Sequence, residues 1–272
     1  MDAVIVNQII AMGFPVTKAT LIHALVGGSA LHGVKVEGRD DLDVYGIFVE
    51  RPGHILGLDR FEHFVTSTSP ESRRNTAADV DVICYSLRKW ARLAAKGNPT
   101  VLQLLFTPAG PDDIWWSSVL GNRDKFLARS HARQYMGYAD AQLKRMMGMK
   151  GRGKHGQRSE LEMEFGYDTK AAMHVLRLLR EGIQLMREGW ILLPRPTDER
   201  SWLLDVRRGA WSEERVIREA NQLFAELKQA TLTSRLPEVV ARDEVSAFIA
   251  ETYLGVWERE RESSGGEGIS QP

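Results

Sequence analysis

A single cysteine, Cys84, is all the thiol chemistry that 272 residues offer. An internal disulfide needs two and a multi-cysteine zinc site more, so both are excluded. Net charge is missing as well: 36 Lys and Arg balance 36 Asp and Glu. The summed charge therefore speaks for neither a nucleic-acid nor a membrane partner, and a case for one rests on local clusters. No stretch approaches the ~18 uncharged apolar residues of a membrane helix, and residues 1–7 lack the positive start and cleavable apolar segment of a secretion signal. A reducing, cytoplasmic setting is the expectation. Internal repeats are also absent. What is present is an ordinary folded composition, 43% hydrophobic and 26% charged, long enough for one large domain or two ordinary ones and for a sizeable core.

The first half mixes strand and helix signals. Residues 1–13 read as a short helix that Pro15 ends, and residues 16–26 are apolar enough for helix or strand before Gly27 and Gly28 close them. From Asp41 to Val49, β-branched and aromatic residues run into Arg51-Pro52-Gly53, a strand followed by a turn. Residues 54–78 show little periodicity and read as an irregular, candidate mobile connection with room for one short strand. Asp79-Val80-Asp81-Val82-Ile83-Cys84-Tyr85 alternates acid and apolar residues, as a strand opening into a cleft does, and Ser86-Leu87-Arg88-Lys89-Trp90 then switches to helical spacing. Beyond Asn122 the pattern is helical over 122–147, 160–189, 212–230 and 238–258, with Pro194-Arg195-Pro196 marking a loop. The expectation is an α+β protein: a catalytic domain at 1–115, a helical domain at 116–258 closing its cleft, and a disordered Glu-, Ser- and Gly-rich tail at 259–272.

The candidate chemistry sits at Gly27-Gly28-Ser29-Ala30-Leu31-His32-Gly33, followed by Asp41-Leu42-Asp43. Carboxylates two apart on a strand project from one face, where they can share one or two divalent ions. Magnesium accepts carboxylate oxygens together with triphosphate oxygens, and a pair of such ions serves in-line phosphoryl chemistry. A third acid is required. Asp81 is the first choice, because Val80 and Val82 hold it toward the cleft, and Asp79 is the alternative. Gly28 lets backbone approach phosphate, while Ser29 offers a hydroxyl and a favourable helix cap. Taken singly, an Asp-x-Asp is a solvated strand end and a Gly-Ser a turn; their order along the chain is what points to nucleotide transfer. Asp40 faces away from the pair and is assigned to turn duty.

Gly28-Ser29-Ala30, Gly33, Asp41-Leu42-Asp43, the strand over 44–49 with Gly46, and Tyr85-Ser86-Leu87-Arg88-Lys89-Trp90 with Lys96-Gly97-Asn98-Pro99 resemble the nucleotidyltransferases of the DNA polymerase beta superfamily. The nearest branch is the RNA-ligase-associated one. Gly137-Tyr138-Ala139, Gln142 and the Tyr167-Asp168, Lys170, Ala172-Met173-His174, Arg177-Leu178 pattern extend the likeness over most of residues 20–230. The resemblance implies a small mixed-sheet, polymerase beta-like domain and magnesium or manganese held by Asp41, Asp43 and Asp81. It also implies Gly28 and Ser29 on a nucleoside triphosphate, ATP or another, and transfer of its monophosphate to an acceptor hydroxyl on RNA (a tRNA or an RNA end) or on a protein. Two positions depart from the pattern: Asp40 stands where a serine is usual, and Gln103 where glutamate is.

Lys170, His174 and Arg177 follow helical spacing and are candidates to meet the triphosphate from the opposite wall. The plainer alternatives are a histidine packed between helices and surface pairs with Glu162, Glu164 or Glu181. Residues 144–158 carry six Lys or Arg and no acid among glycines, a loop suited to phosphates of a nucleotide or RNA, or simply a solvated connection. Aromatic interleaving is missing there, so sequence-specific reading of single strands is not indicated. Two other functions share these features: a nucleotide-sugar-type transferase, whose metal also sits on an Asp-x-Asp, and a catalytically silent RNA-binding or antitoxin-like module.

Overall fold

The computed structural model describes residues 2–70, 76–110, 113–149 and 160–265. The chain opens with α1 (Ala3–Ala11), capped by the Asp2 carboxylate, and enters β1 (Ala19–Val26). The short helix α2 (Gly28–His32) leads through a turn to β2 (Leu42–Glu50). Then come α3 (Pro52–Leu56), β3 (His63–Ser67), β4 (Val80–Ser86) and α4 (Leu87–Ala94). The connection expected to be irregular thus holds a helical turn and one strand, and its residues 71–75 lie outside the described ones. The strands form one mixed sheet in the order β1-β2-β4-β3, with β2 and β4 parallel at the centre and both outer pairings antiparallel.

Alternation along the central strands gives the sheet two buried faces. Val44, Phe48, Val82 and Cys84 pack with Ile9 and Phe14 under α1, while Ile47 and Val49 face the main core. Gly46 is required where β2 crosses Cys84: an added Cβ would lie 2.5 Å from the sulfur. Burial pushes the Cys84 thiol up to about 12, so it is a packing group and not a nucleophile.

After α4 the elements formed by the described residues are all helical. They are α5 (Pro99–Leu102), a 3₁₀ turn (Gln103–Phe106), α6 (Ile114–Gly121), a second 3₁₀ turn (Arg123–Phe126), α7 (His131–Met146) and α8 (Glu160–Phe165). The chain continues as α9 (Thr169–Glu188), α10 (Thr197–Arg207), α11 (Glu213–Thr233) and α12 (Arg242–Gly265). Capping starts several of them: Ser86, Asn98, Asp168 and Ser212 each accept a hydrogen bond from a first-turn amide. The helix α9 is the hub, packed against α7, α10 and α11.

Among the described residues, buried side chains on both sides of residue 115 belong to one cluster. It runs from Ile22 of β1 through Trp90, Trp116 and Tyr135 to Val256 of α12. The last helix returns to the sheet, where Trp257 Nε1 donates to the Glu50 carbonyl at 2.8 Å and the Tyr253 hydroxyl donates to the Glu50 carboxylate. A tail beginning at Arg259 is corrected by this helix, which continues to Gly265 because Glu260 is anchored by Thr20 and Arg51. Residues 266–272 lie outside the described ones. No helix among the described residues is long and apolar enough to cross a membrane.

Candidate active site

The parallel register sets Asp43 of β2 directly beside Asp81 of β4. Paired residues on neighbouring strands share a face, so both carboxylates rise from the side opposite Val44 and Val82, whose burial beneath the sheet fixes the choice of face. Asp41 lies just ahead of β2. Burial first, then the charges of Asp41 and Asp81, push the Asp43 carboxyl up to about 6, with Lys170 acting in the other direction.

The glycine turn lies on top of this cluster. The Gly27 amide donates to the Asp43 carbonyl at 2.8 Å. An added Cβ on Gly27 would meet the Tyr45 ring at 2.1 Å, and one on Gly28 would lie 1.8 Å from Asp43 Oδ2. Gly28 also has φ of +56°, a conformation that side chains disfavour. Gly28→Ala is therefore expected to displace either the turn or the Asp43 carboxylate. Stability should fall by about 1–3 kcal/mol in a urea titration, and any activity that depends on Asp43 should be lost. An alanine variant matching the wild type in both would mean that the turn and the acid are not coupled.

The turn and the acids form one wall of a cleft of about 340 Å³ that also takes in Ser29, His32 and Tyr45. Thr100 and Gln103, Tyr138 and Gln142 of α7, and Lys170, His174 and Arg177 of α9 face them. The spacing of four and three along α9 aligns its three residues on one side of the helix, whose start is fixed by Asp168 accepting from the Ala171 amide at 2.9 Å. Lys170 Nζ is 3.6 Å from Asp40, whose buried carboxylate also accepts from the Val36 amide at 2.8 Å and from Arg207 at 3.3 Å. Asp40 thus holds its turn, as expected, and ties it to α9 and α10 as well.

Arg177 is held from behind. Its Nη1 donates to both Glu181 oxygens at 2.8 and 2.9 Å and lies 2.9 Å from His32 Nε2, while His32 Nδ1 is 3.0 Å from Glu181. Burial would raise the Glu181 carboxyl, yet Arg177 and His32 hold it well below the usual carboxylate range. Burial first, then Arg177 and Lys170, push His174 well below its ordinary value, so its imidazole is neutral at pH 7. The cleft is thus lined by the Asp41 and Asp43 carboxylates and by Lys170 and Arg177 of α9, each of which also pairs with a carboxylate of its own, Asp40 and Glu181.

Gly28, Ser29, Asp41, Asp43, Lys170, His174 and Arg177 therefore line one cleft, although most of the chain separates the first from the last. Asp81 is not among the residues lining it; it is the register partner of Asp43 on the neighbouring strand. Asp79 is engaged elsewhere, accepting from the Thr76 amide at 2.6 Å and the Thr76 hydroxyl at 2.8 Å. Gln103 donates to the Thr100 carbonyl at 2.9 Å, which gives it a structural duty at the cleft floor. In the basic stretch, Lys144 pairs with Asp140 and Arg145 with Asp168; its residues 150–158 lie outside the described ones. Sequence reasoning missed His32 and Tyr45. The signal for Tyr45 was its position two after Asp43, on the same face of the strand; His32 had none, because only the fold brings it under Arg177.

Among the described residues, no group of three or more His, Cys, Asp or Glu side chains forms a ready-made metal cage. The donor set nonetheless suits a hard cation completed by substrate oxygens. Magnesium is held by one or two carboxylates plus phosphates more often than by protein alone, and Asp43, raised to about 6 first by burial and then by the charges of Asp41 and Asp81, belongs to a charge cluster that a divalent ion relieves.

No solved structure matches the chain. Over 130 residues, 46% of its length, it is 32% identical to an uncharacterized 38.9 kDa protein in the nrdC-mobD intergenic region of Enterobacteria phage T4, of which the match spans 38%. The family model of RlaP, described as the RNA repair pathway DNA polymerase beta family, matches residues 8–251. That match takes in both walls of the cleft and the sheet that carries its acids. The chain belongs to the RNA repair pathway DNA polymerase beta family.

Proposed function

We propose that the protein moves a nucleoside monophosphate from a nucleoside triphosphate to an acceptor hydroxyl on RNA, in a divalent-metal-dependent reaction in the cytoplasm. The observation that carries this reading is a single cleft lined by the Gly28-Ser29 turn, the Asp41 and Asp43 carboxylates, and Lys170 and Arg177 of α9. Asp41 and Asp43, with Asp81 on the neighbouring strand, would hold magnesium or manganese, which when bound neutralises phosphate charge and lowers the pKa of a coordinated hydroxyl. Gly28 and Ser29 approach the triphosphate with backbone and hydroxyl, and Lys170 and Arg177 meet its charge from α9. His174, kept neutral, serves as a hydrogen-bonding group rather than a cation. The acceptor oxygen forms the new bond to the α-phosphorus, pyrophosphate leaves with the bonding pair, and a carboxylate of the trio accepts the proton. Catalysis is then mostly positioning and charge neutralisation, with the helical portion at 116–258 closing the cleft through α7 and α9.

The test is to offer the four triphosphates, labelled at the α-phosphate, with magnesium and either total RNA or protein extract. Label on RNA with release of pyrophosphate is expected. Label on protein alone would replace RNA with a protein acceptor, and label nowhere would remove the activity.

A further inference from the structure

A second groove, of about 900 Å³, runs beside the active cleft. Tyr138 lines both, so the two adjoin at its side chain. Its hydroxyl is 2.8 Å from Asn98 Nδ2, and Asn98 caps α5, whose Pro99 and Thr100 line the cleft. Four cations, Lys96, Arg129, Arg133 and Arg242, stand along the groove against one carboxylate, Glu238. In a chain whose total charge is zero, that local excess is notable. Lys96, Arg133 and Arg242 are exposed. Arg129 does pair with Glu238 at 3.2 Å, but the Glu238 side chain is 78% exposed, so the pair is weak and exchangeable. Leu232 and Val239, also on this wall, are 75% and 64% exposed.

We propose that this groove holds the acceptor: a single-stranded polynucleotide with its phosphates along Lys96, Arg129, Arg133 and Arg242. Its bases rest on the apolar strip of Leu232 and Val239, and its terminal nucleotide crosses Tyr138 to present a hydroxyl to the active cleft. Cations that follow a backbone, with an aromatic face where a base can stack, are the ordinary means of holding single strands without reading their sequence. The proposal rests on the nucleotidyl-transfer reading of the adjoining cleft and adds no chemical step to it. An acidic peptide would satisfy the cations but leave the apolar strip and the Tyr138 ring without a complement.

The test is binding of a short labelled single-stranded oligoribonucleotide, by fluorescence anisotropy, to the full chain and to the pairs Arg129→Glu/Arg133→Glu and Lys96→Glu/Arg242→Glu. Each pair is expected to raise Kd more than about tenfold at ~0.1 M salt, and to reduce the slope of log affinity against log salt by about 1.4, two phosphate contacts' worth. Melting midpoints report that these surface variants remain folded. Affinity for a non-hydrolysable triphosphate with magnesium is measured alongside and is expected to stay unchanged in both pairs. Unchanged oligonucleotide affinity in both pairs would overturn the groove, as would a polyglutamate of equal charge binding the wild type as tightly. A wild-type chain that binds the oligonucleotide at the groove but no triphosphate would instead remove the reading of the cleft.

Discussion

Replacing Asp41 and Asp43 together by asparagine is expected to lower nucleotidyl transfer by on the order of 10³-fold or more, the scale seen when a group aimed at transition-state charge is lost. The fold should survive. Asparagine keeps the shape of each side chain, and in the metal-free protein it removes the repulsion that, after burial, pushes Asp43 up to about 6. The metal-free variant is therefore expected to be at least as stable as the wild type. The two should separate when magnesium is added, because a ligand at 100 times its Kd stabilises by ~2.7 kcal/mol only where its site exists. Thermal melts with and without the ion, beside a transfer assay, read both effects. Magnesium stabilisation that persists in the double variant would place the ion somewhere other than these carboxylates.

Glu181→Gln is expected to have the largest effect on stability. Glu181 is buried and faces both Arg177 and His32, so its neutral replacement leaves the partly buried Arg177 guanidinium without its counter-charge, a loss of about 3 kcal/mol, the lower end for a broken buried pair. Arg177 would also swing away from the cleft, and triphosphate affinity should fall with it. The pH dependence has a definite sign. The folded carboxyl is held below its unfolded value of 4.5, so its contribution is complete above about pH 4.5 and disappears as the pH falls through the folded value. In the glutamine variant that acid-linked part is absent. Glu181→Asp, which keeps the charge, should recover part of both losses. Urea titrations of the two variants from pH 3 to 7 measure this, and a glutamine variant with wild-type stability at pH 7 would contradict the buried network.

The two central strands were legible because β-branched runs headed by acids have few other uses, and a shared face for Asp41 and Asp43 follows from the period of two alone. That Asp81 belongs beside Asp43 was less accessible: parity gave its face, whereas the register that pairs the two is a property of the assembled sheet. Lys170, His174 and Arg177 were aligned by helical spacing, but no local signal tells such a face to look into a cleft rather than at solvent. Asp40 shows the limit from the other side. It was readable as a turn residue, while its partners Lys170 and Arg207 lie far along the chain and are found only by folding. The helices α6 and α10 escaped for a related reason. Trp115-Trp116 and Trp202 sit in short, weakly periodic segments that tertiary packing holds helical more than local preference does.

In the proposed reaction Asp41 and Asp43 from one strand head, with Asp81 from its neighbour, would hold a cation beneath Gly28 and Ser29. The most direct test of that site is an anomalous difference map from crystals grown with manganese and a non-hydrolysable triphosphate. The expected result is a peak about 2.2 Å from carboxylate oxygens of Asp41 and Asp43, with Asp81 adjacent and the triphosphate between Ser29 and the Lys170–Arg177 side of α9. A triphosphate bound elsewhere, or the same nucleotide in this cleft with no manganese at the aspartates, would contradict it.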